Sequence, residues 1–449
     1  MKTTIQKLGL LIAMLFAILP ASAYDFEDNG VYYNLISATD LTCEITHGDI
    51  KYRGDFTIPS KVMYKGRELT VTKIGSGAFQ KCKELTNLNI PECIKSIDNY
   101  AFDGCESLIH FRIPDNVWYI GAYIFRGCIN LQTVELPNLI NHISNGTFSG
   151  CTGLTQFSVP ENMVSIGRAA FQDCENLQNI IIPTSVKEIG ERAFSGCANL
   201  KEITIPENVT KIEINTFKNC RSLSSIIIPG NVESITAEAF DGCDGLNTVF
   251  IDISNTRLSY KAGPDMNYHS VFVNCPNIRN LAVGRIIPES GLGINKVTKL
   301  TLMKNSSMYQ FKDLSTIEEI VFTADISSTE INYKEFYNFK KLQCIVCESE
   351  IPDPDLCPSV DNIQLSNLII YVPDGCVSAY QNADGWKKFW DIREISSRED
   401  SSGITVINSS SVRDEIARYN MQGNQVDEHY KGFVIICYSD GSSKKVLQK

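Results

Sequence analysis

Apolar positions in this chain recur on a fixed interval of 23 residues. Phenylalanine occupies 79, 102, 125, 148, 171, 194, 217 and 240, and leucine occupies 85, 108, 131, 154, 177, 200, 223 and 246. Isoleucine holds 97, 120, 143, 166, 189, 212 and 235, while proline holds 91, 114, 137, 160, 183, 206 and 229. A period of this length signals stacked structural units, each of which buries its apolar face only against its neighbours. Within "NLKEITIPENVTKIEINTFKNC" (199–220), Leu200, Ile203 and Ile205 come close to the alternation of a strand with one buried face. Pro206 has no N–H to give a ladder, so it closes that strand. Val209 and Ile212 turn inward again, and a tight turn then leads to Phe217 and Cys220.

The spacing Leu200, Ile203, Ile205, Asn208 is the L-x-x-L-x-L-x-x-N signature of leucine-rich repeats. Asparagine recurs at that last position at 116, 162 and 231, with Cys93 and Ser185 as stand-ins and Leu139 as an exception. An inward asparagine there is expected to bond the backbone of successive coils. The "IPxNVxxIGxxAFxGCxxL" rungs, with "IPTSVKEIGERAFSGCANL" (182–200) as the nearest copy, resemble the 23-residue repeats of the BspA-like bacterial surface antigens. The resemblance is strong over 73–251 and weaker to 395. It implies a leucine-rich repeat solenoid: a parallel β-sheet coil with short turns or helical pieces per repeat, plus small β caps. "GVYYNLIS" (30–37) with "TVTKIGSGAF" (70–79) resembles the family's N-terminal cap, and "LIIYVPDGCVSAYQNADGWKKFW" (368–390) its closing segment.

The expected organisation follows. A β cap spans 24–72 and a solenoid 73–395, regular to 251 and irregular after, with a closing segment at 368–395. A linker is expected at 396–403 and a small β domain at 404–449. About nine residues are inserted within "SNTRLSYKAGPDMNYHS" (254–270), and Cys275 resumes the ladder. In the last segment, "YNMQGNQVDEHYKGFVIICYSDGSSKKVLQK" (419–449) reads as strands joined by Gly and Asp-Gly turns. It resembles the C-terminal β domains that direct surface proteins of some Gram-negative bacteria through an outer-membrane secretion system; an ordinary β module without a sorting role fits the residues as well.

Lys2 and Lys7 precede the apolar run "LGLLIAMLFAIL" (8–19), then Pro20 and "ASA" (21–23). That is a basic n-region, a short h-region and an A-x-A cleavage site, so 1–23 reads as an export signal. The run is shorter than the roughly 20 residues of a membrane span. Removing its two lysines takes the formal charge from −11 to −13. Such an acidic chain has no electrostatic footprint for nucleic acid or anionic lipid, and both are discounted as partners.

Cysteine follows the same period at 82, 105, 128, 151, 174, 197, 220 and 243. Sixteen cysteines in an exported chain raise the question of a disulfide framework. Stacking geometry argues against one. Equivalent residues in neighbouring coils lie about 4.7–4.9 Å apart with parallel side chains, whereas a disulfide needs Cβ atoms at about 3.5–4.5 Å that turn toward each other. A column of thiols does not converge on a zinc ion either. Leu314 and Phe339 replace cysteine in late rungs, as expected where size and apolarity are what matters. The ladder is therefore expected to be buried free thiol acting as core filler. "CIVC" (344–347) belongs to an L-x-x-I-x-C strand and not to a redox motif.

A glycosidase needs two carboxyls about 5–9.5 Å apart. Outward-facing Glu135 and Glu202 fall three rungs apart, roughly 14 Å, and Glu92 and Asp115 follow strand-ending prolines in solvated turns. Five scattered histidines form no H-E-x-x-H and no evident triad. No catalytic, cofactor or metal residue emerges. Two functions are carried forward: binding or adhesion at a cell surface, which the resemblance implies, and a polysaccharide-active solenoid enzyme. The candidate ligand-binding residues are Tyr100, Trp118, Tyr119, Tyr123 and His142, outward positions on the first rungs with rings and polar tips suited to a protein or glycan. The alternative is that these rings pack on the N-terminal cap or a neighbouring loop.

Overall fold

The computed structural model describes residues 24–398 apart from 49, 255, 262–269, 288–291, 308–310, 312–314, 327–335, 337–338 and 361, together with the backbone of strands at 415–420, 432–438 and 443–448. The export signal expected at 1–23 and the Leu314 substitution lie outside the described residues. The chain separates into two compact units: Met1–Phe157 with Ser165–Gln178 and Gly190–Ala198, and Ser158–Val164 with Asn179–Ile189 and Asn199–Lys449. Both are built from coils of a parallel β-solenoid, the fold the repeat predicts. No helix among the described residues is long and apolar enough to cross a membrane.

The first unit opens on an antiparallel cap. Val31–Ser37 pairs antiparallel with Phe26–Asp28 and with Thr42–Thr46. Thr42–Thr46 then pairs parallel with Arg67–Ile74, followed in the same sheet by Ser96–Ile97 and Tyr119–Ile120. A second ladder joins Gly54–Thr57 to Leu85–Asn89, and His110–Arg112 pairs with Thr133–Glu135. The cap thus supplies paired edges on which the coils build, so the first repeat offers no open strand. Inside, Phe79, Phe102, Phe125, Phe148, Phe171 and Phe194 are fully buried and stack with ring centroids 5.2–5.9 Å apart.

The turn that carries each phenylalanine is bracketed by left-handed residues. Two positions before it, Gly77, Tyr100, Tyr123, Gly146, Ala169 and Arg192 have φ between +54° and +62°. Two positions after it stand Lys81, Gly104, Gly127, Gly150, Asp173 and Gly196, with φ of +57° to +80°. This tight path is tied to the next coil: Phe102 N–H donates to Ile124 O at 2.9 Å, Phe125 N–H to Thr147 O at 3.0 Å, and Phe148 N–H to Ala170 O at 2.8 Å.

The cysteine ladder is buried, and every cysteine side chain among the described residues is a free thiol. Its role exceeds filling. Cys105 Sγ donates to Phe79 O at 3.1 Å, Cys128 Sγ to Phe102 O at 3.2 Å, and Cys174 Sγ to Phe148 O at 3.0 Å. The bond repeats from Cys151, Cys197, Cys243 and Cys275, each to the phenylalanine one coil earlier. Size and apolarity therefore do not fully account for the column, because the thiol is also a weak donor. The asparagine expectation needs a similar adjustment. Asn208 and Asn231 do bond the preceding coil, at Thr184 O (2.7 Å) and Glu207 O (2.6 Å), and Asn116 bonds Glu92 O. Asn208 and Asn231 do so from the exposed rim and Asn116 from a half-buried place, none from the deep interior, since each follows the strand-ending proline. Asn130 and Asn176 form a second rim series, on Glu106 O and Thr152 O.

The second unit carries an eight-stranded parallel ladder running from Ser225–Ile228 through Thr248–Ile251, Asn280–Val283, Lys299–Leu302, Glu319–Phe322, Cys344–Cys347 and Ile369–Val372 to Asp391–Glu394. Within the insertion, Ser259–Lys261 keeps a place beside Ser234–Thr236. Where the register changes, the fully buried Arg285 donates to Pro229 O, Gly230 O and Val232 O at 3.1, 3.0 and 2.6 Å. Desolvation lowers its pKa to about 10. Phe339 occupies the cysteine register, its N–H donating to Phe336 O at 2.9 Å. In the closing segment Trp386 is buried and donates Nε1–H to Asp353 O at 2.9 Å, while Tyr380 Oη–H donates to Ser349 O at 2.8 Å. Glu415–Asn420, Gly432–Tyr438 and Ser443–Gln448 form an antiparallel three-stranded sheet.

The ladder's burial predicts alkaline lability. Desolvation pushes the Cys43 and Cys128 thiols up to about 12, and raises Cys105, Cys151 and Cys174 further. Above the unfolded thiol pKa of about 8.5 the unfolded chain releases these protons and the folded chain keeps them, so stability is complete below that pH and falls as pH rises. Each thiol contributes about 1.4 kcal/mol per pH unit in this window. The urea midpoint of the first unit should drop steeply between pH 8 and pH 10. A midpoint unchanged over that range would show that the thiols are not held protonated by burial.

Candidate functional site

The outward candidates fall into two contacting pairs. Tyr100 and Tyr123, both at left-handed positions, stack nearly parallel with centroids 5.2 Å apart and an interplanar angle of 5°. The Arg126 guanidinium lies 5.1 and 5.6 Å from their centroids. It also donates from Nε and Nη2 to the two carboxylate oxygens of Asp103, both at 2.8 Å, and Gln80 Nε2 donates to the same carboxylate at 2.8 Å. Asp103 is buried, so this bidentate pairing satisfies a carboxylate that has left water. On its far side the Tyr123 ring leans over Gly146, where an added Cβ would come within 2.1 Å of ring carbons. Both faces of Tyr123 are therefore occupied, and the pair is half-buried.

Trp118 and Tyr119 are different. Their rings meet at 6.0 Å with a 56° tilt, and the residues stay 62% and 40% exposed. Alternation explains it: Val117, Ile120 and Phe125 of the same rung fill the inward sites. His142, one coil beyond Tyr119, is exposed and has Nδ1 3.2 Å from Asn141 Oδ1. Sequence reasoning passed over Leu139, which is 61% exposed. It stands in the turn one coil beyond Asn116, two residues before the repeat-equivalent of Trp118. The available signal was its break in the asparagine column.

On the outward strand face of this unit, polar groups engage one another. His110 Nδ1 is 2.7 Å from Thr133 Oγ1, Thr86 Oγ1–H donates to Asp55 Oδ1 at 2.8 Å, and Arg112 lies 3.4 Å from both Asp115 and Glu135. Among the described residues no group of three or more His, Cys, Asp or Glu is placed to hold a metal ion. The arrangement offers apolar and aromatic contact with polar tips, which is the chemistry of recognition.

The profile for the BspA type leucine rich repeat region matches residues 72–191 and 141–279, in 6 copies. No curated protein sequence matches the chain. Among solved structures, a leucine-rich cell surface protein of Faecalibacterium prausnitzii is similar over 85% of this chain and 97% of its own, at 21% identity and a TM-score of 0.44. A leucine-rich repeat protein of Bacteroides ovatus is similar over 83% of this chain and 100% of its own, at 22% identity and a TM-score of 0.44.

The seating of Tyr123 on Gly146 is testable by a double-mutant cycle. Gly146→Ala should cost about 2–4 kcal/mol, from a left-handed Cβ plus displacement of the ring. In a Tyr123→Ala background the same change should cost only the backbone part, about 1–2 kcal/mol. Equal costs in both backgrounds, read from urea unfolding, would mean the ring does not rest there.

Proposed function

Since the chain belongs to the BspA-type leucine-rich repeat family, we propose that it is an exported binding or adhesion protein whose solenoid surface engages a protein or glycan on a host or neighbouring cell. Its mature part then begins after residue 23 and acts outside the membrane. The observation that carries this reading is the Trp118–Tyr119 pair, two rings held in contact on a regular rung and left open to solvent. At 62% exposure Trp118 keeps most of its surface outside the core beneath it. Tryptophan and tyrosine are also the side chains most enriched among residues that dominate interface energies. On the next coil, exposed His142 adds a hydrogen-bonding tip, and exposed Leu139 an apolar side chain. No residue is assigned a catalytic role, and the carboxylate Glu135 is engaged by Arg112. The strands within 415–448 would serve as the sorting module for surface attachment.

A glycan array and a protein pull-down identify the ligand, with a reducing-sugar assay on the same glycans to detect turnover. Trp118→Ala should then weaken binding by about 2 kcal/mol or more, close to thirtyfold in Kd. The unfolding midpoint should hardly move, as for other surface substitutions. Lost stability with binding intact would make Trp118 a structural staple. Turnover abolished by an acidic-residue variant would replace binding with catalysis.

A further inference from the structure

In the second unit the outward positions of the long ladder run Ile227, Phe250, Ala282, Thr301, Val321, Val346 and Tyr371, an apolar row broken once, by Thr301. The fold's core lies on the opposite face, where Ile320, Ile345 and Ile370 are fully buried. Outward side chains of such a ladder ordinarily meet water, and Ile227 at one end is 37% exposed. Val321, Val346 and Tyr371 at the other end are only 5%, 4% and 8% exposed.

The chain itself supplies the cover. After Asp391–Glu394 it makes one 3-10 turn, Ile395–Ser397, and returns across the sheet. Glu394 Oε1 accepts from Gly375 N at 2.9 Å and Asp374 Oδ1 accepts from Ser396 N at 3.1 Å, which fixes the reversal. Ile395 packs on the Val321, Val346 and Tyr371 cluster, with Cys344 and Ile369 beside it. The Arg398 guanidinium lies 5.5 Å from the Tyr371 ring centroid and pairs with the Glu319 carboxylate, which also holds Lys299 at 3.0 Å. Among the described residues, Ile395 and, three residues on, the Arg398 guanidinium supply this contact from the returning chain. The strands beneath already complete their hydrogen bonding with each other.

We propose that this end of the ladder is a docking site for an extended polypeptide segment bearing an aliphatic residue followed three positions later by arginine, and that Ile395–Arg398 is an internal copy of that segment, covering the site until a partner displaces it. The face is preformed, because its shape is set by strands packed from behind. The cover is exchangeable, because a similar segment from another protein makes the same contacts. The Val321–Tyr371 cluster fits an aliphatic side chain, Tyr371 offers its ring to a cation, and Glu319 offers the countercharge. This site stands independently of the Trp118 patch.

Cys344 reports the cover. It faces outward under the strap, and burial, then the Glu319 charge, push its thiol up to about 11. Cys347 faces inward on the same strand, 4% exposed, and serves as the internal control. Iodoacetamide labelling of the full chain at pH 8, read by mass spectrometry, should be about tenfold faster at Cys344 in Ile395→Asp and about threefold faster in Arg398→Gln, with Cys347 unchanged. A hexapeptide of sequence REISSR at millimolar concentration should slow Cys344 again in both variants, and the peptide REDSSR should not. Unchanged Cys344 labelling in both variants would overturn the cover. Cys347 rising in step would make the strap a brace for the last rungs. Failure of REISSR to protect would show that the face takes no such segment.

Discussion

In the coils of Phe79, Phe102, Phe125, Phe148, Phe171, Phe217 and Phe240 the phenylalanine carbonyl is turned inward and accepts two hydrogen bonds. Phe102 O takes the Cys105 N–H of its own coil at 3.1 Å and the Cys128 thiol of the next at 3.2 Å. Phe148 O does the same with Cys151 N–H and Cys174 Sγ, both at 3.0 Å. A carbonyl left unpaired there would cost roughly 1–3 kcal/mol per coil. A backbone N–H meets that demand at Phe336 O, where Phe339 stands in the cysteine register; a second bond from the next coil takes a small side chain that is apolar enough to be buried and still able to donate. It also requires left-handed residues on both sides of the phenylalanine, which only glycine adopts without strain. Tyr100, Tyr123, Arg192 and Glu238 accept that strain, about 1–2 kcal/mol each, because the inter-coil ladder over-determines the turn around them.

This constraint separates inside from outside. The buried columns cannot vary without disturbing the coils on either side, whereas the left-handed column before the phenylalanine takes anything from glycine to tyrosine, buried at Ala169 and Asn215 and exposed at Arg192. In the first unit that freedom produces the Tyr100–Tyr123 stack, which returns packing energy for the strained backbone. Beside it, strand alternation produces the exposed Trp118–Tyr119 pair. The two aromatic pairs look alike in sequence, but only one leaves its faces free.

The parts of the fold legible from residues alone are those written as periods: the phenylalanine, cysteine, leucine, isoleucine and proline registers, and with them the solenoid. Gly104 and Gly150 hint at the second left-handed position, but the first is hidden, since Tyr100, Tyr123, Ala169 and Arg192 carry no glycine to mark it. The thiol's second role is hidden for a related reason. A buried cysteine that only fills space and one that also donates have the same spacing. Of the candidate site, outward placement could be derived for Trp118 from its rung, but the closed faces of Tyr123 depend on Gly146 one coil on. The strap was not legible at all. "EISSR" (394–398) begins like a linker, and its contacts reach back 79 residues to Glu319.

Each unit's ladder must also stop, and the two units stop differently. At the N-terminal end of the first unit Val31–Ser37 turns the parallel ladder into antiparallel pairs, so growth in that direction is blocked by a change of strand sense. In the second unit the parallel order runs to the last strand, Asp391–Glu394, which is left as an edge. Arg393 donates to Asp391 within that strand, Nε to Oδ1 at 2.7 Å, so the edge presents charge where another strand would have to approach. The return of Ile395–Arg398 follows from the same need. With charge placed on the edge strand, the apolar outward residues just before it, Val346 and Tyr371, would otherwise be the most exposed apolar surface of the sheet. Covering them with the chain's own next residues closes the ladder by a local contact that adds no strand to it.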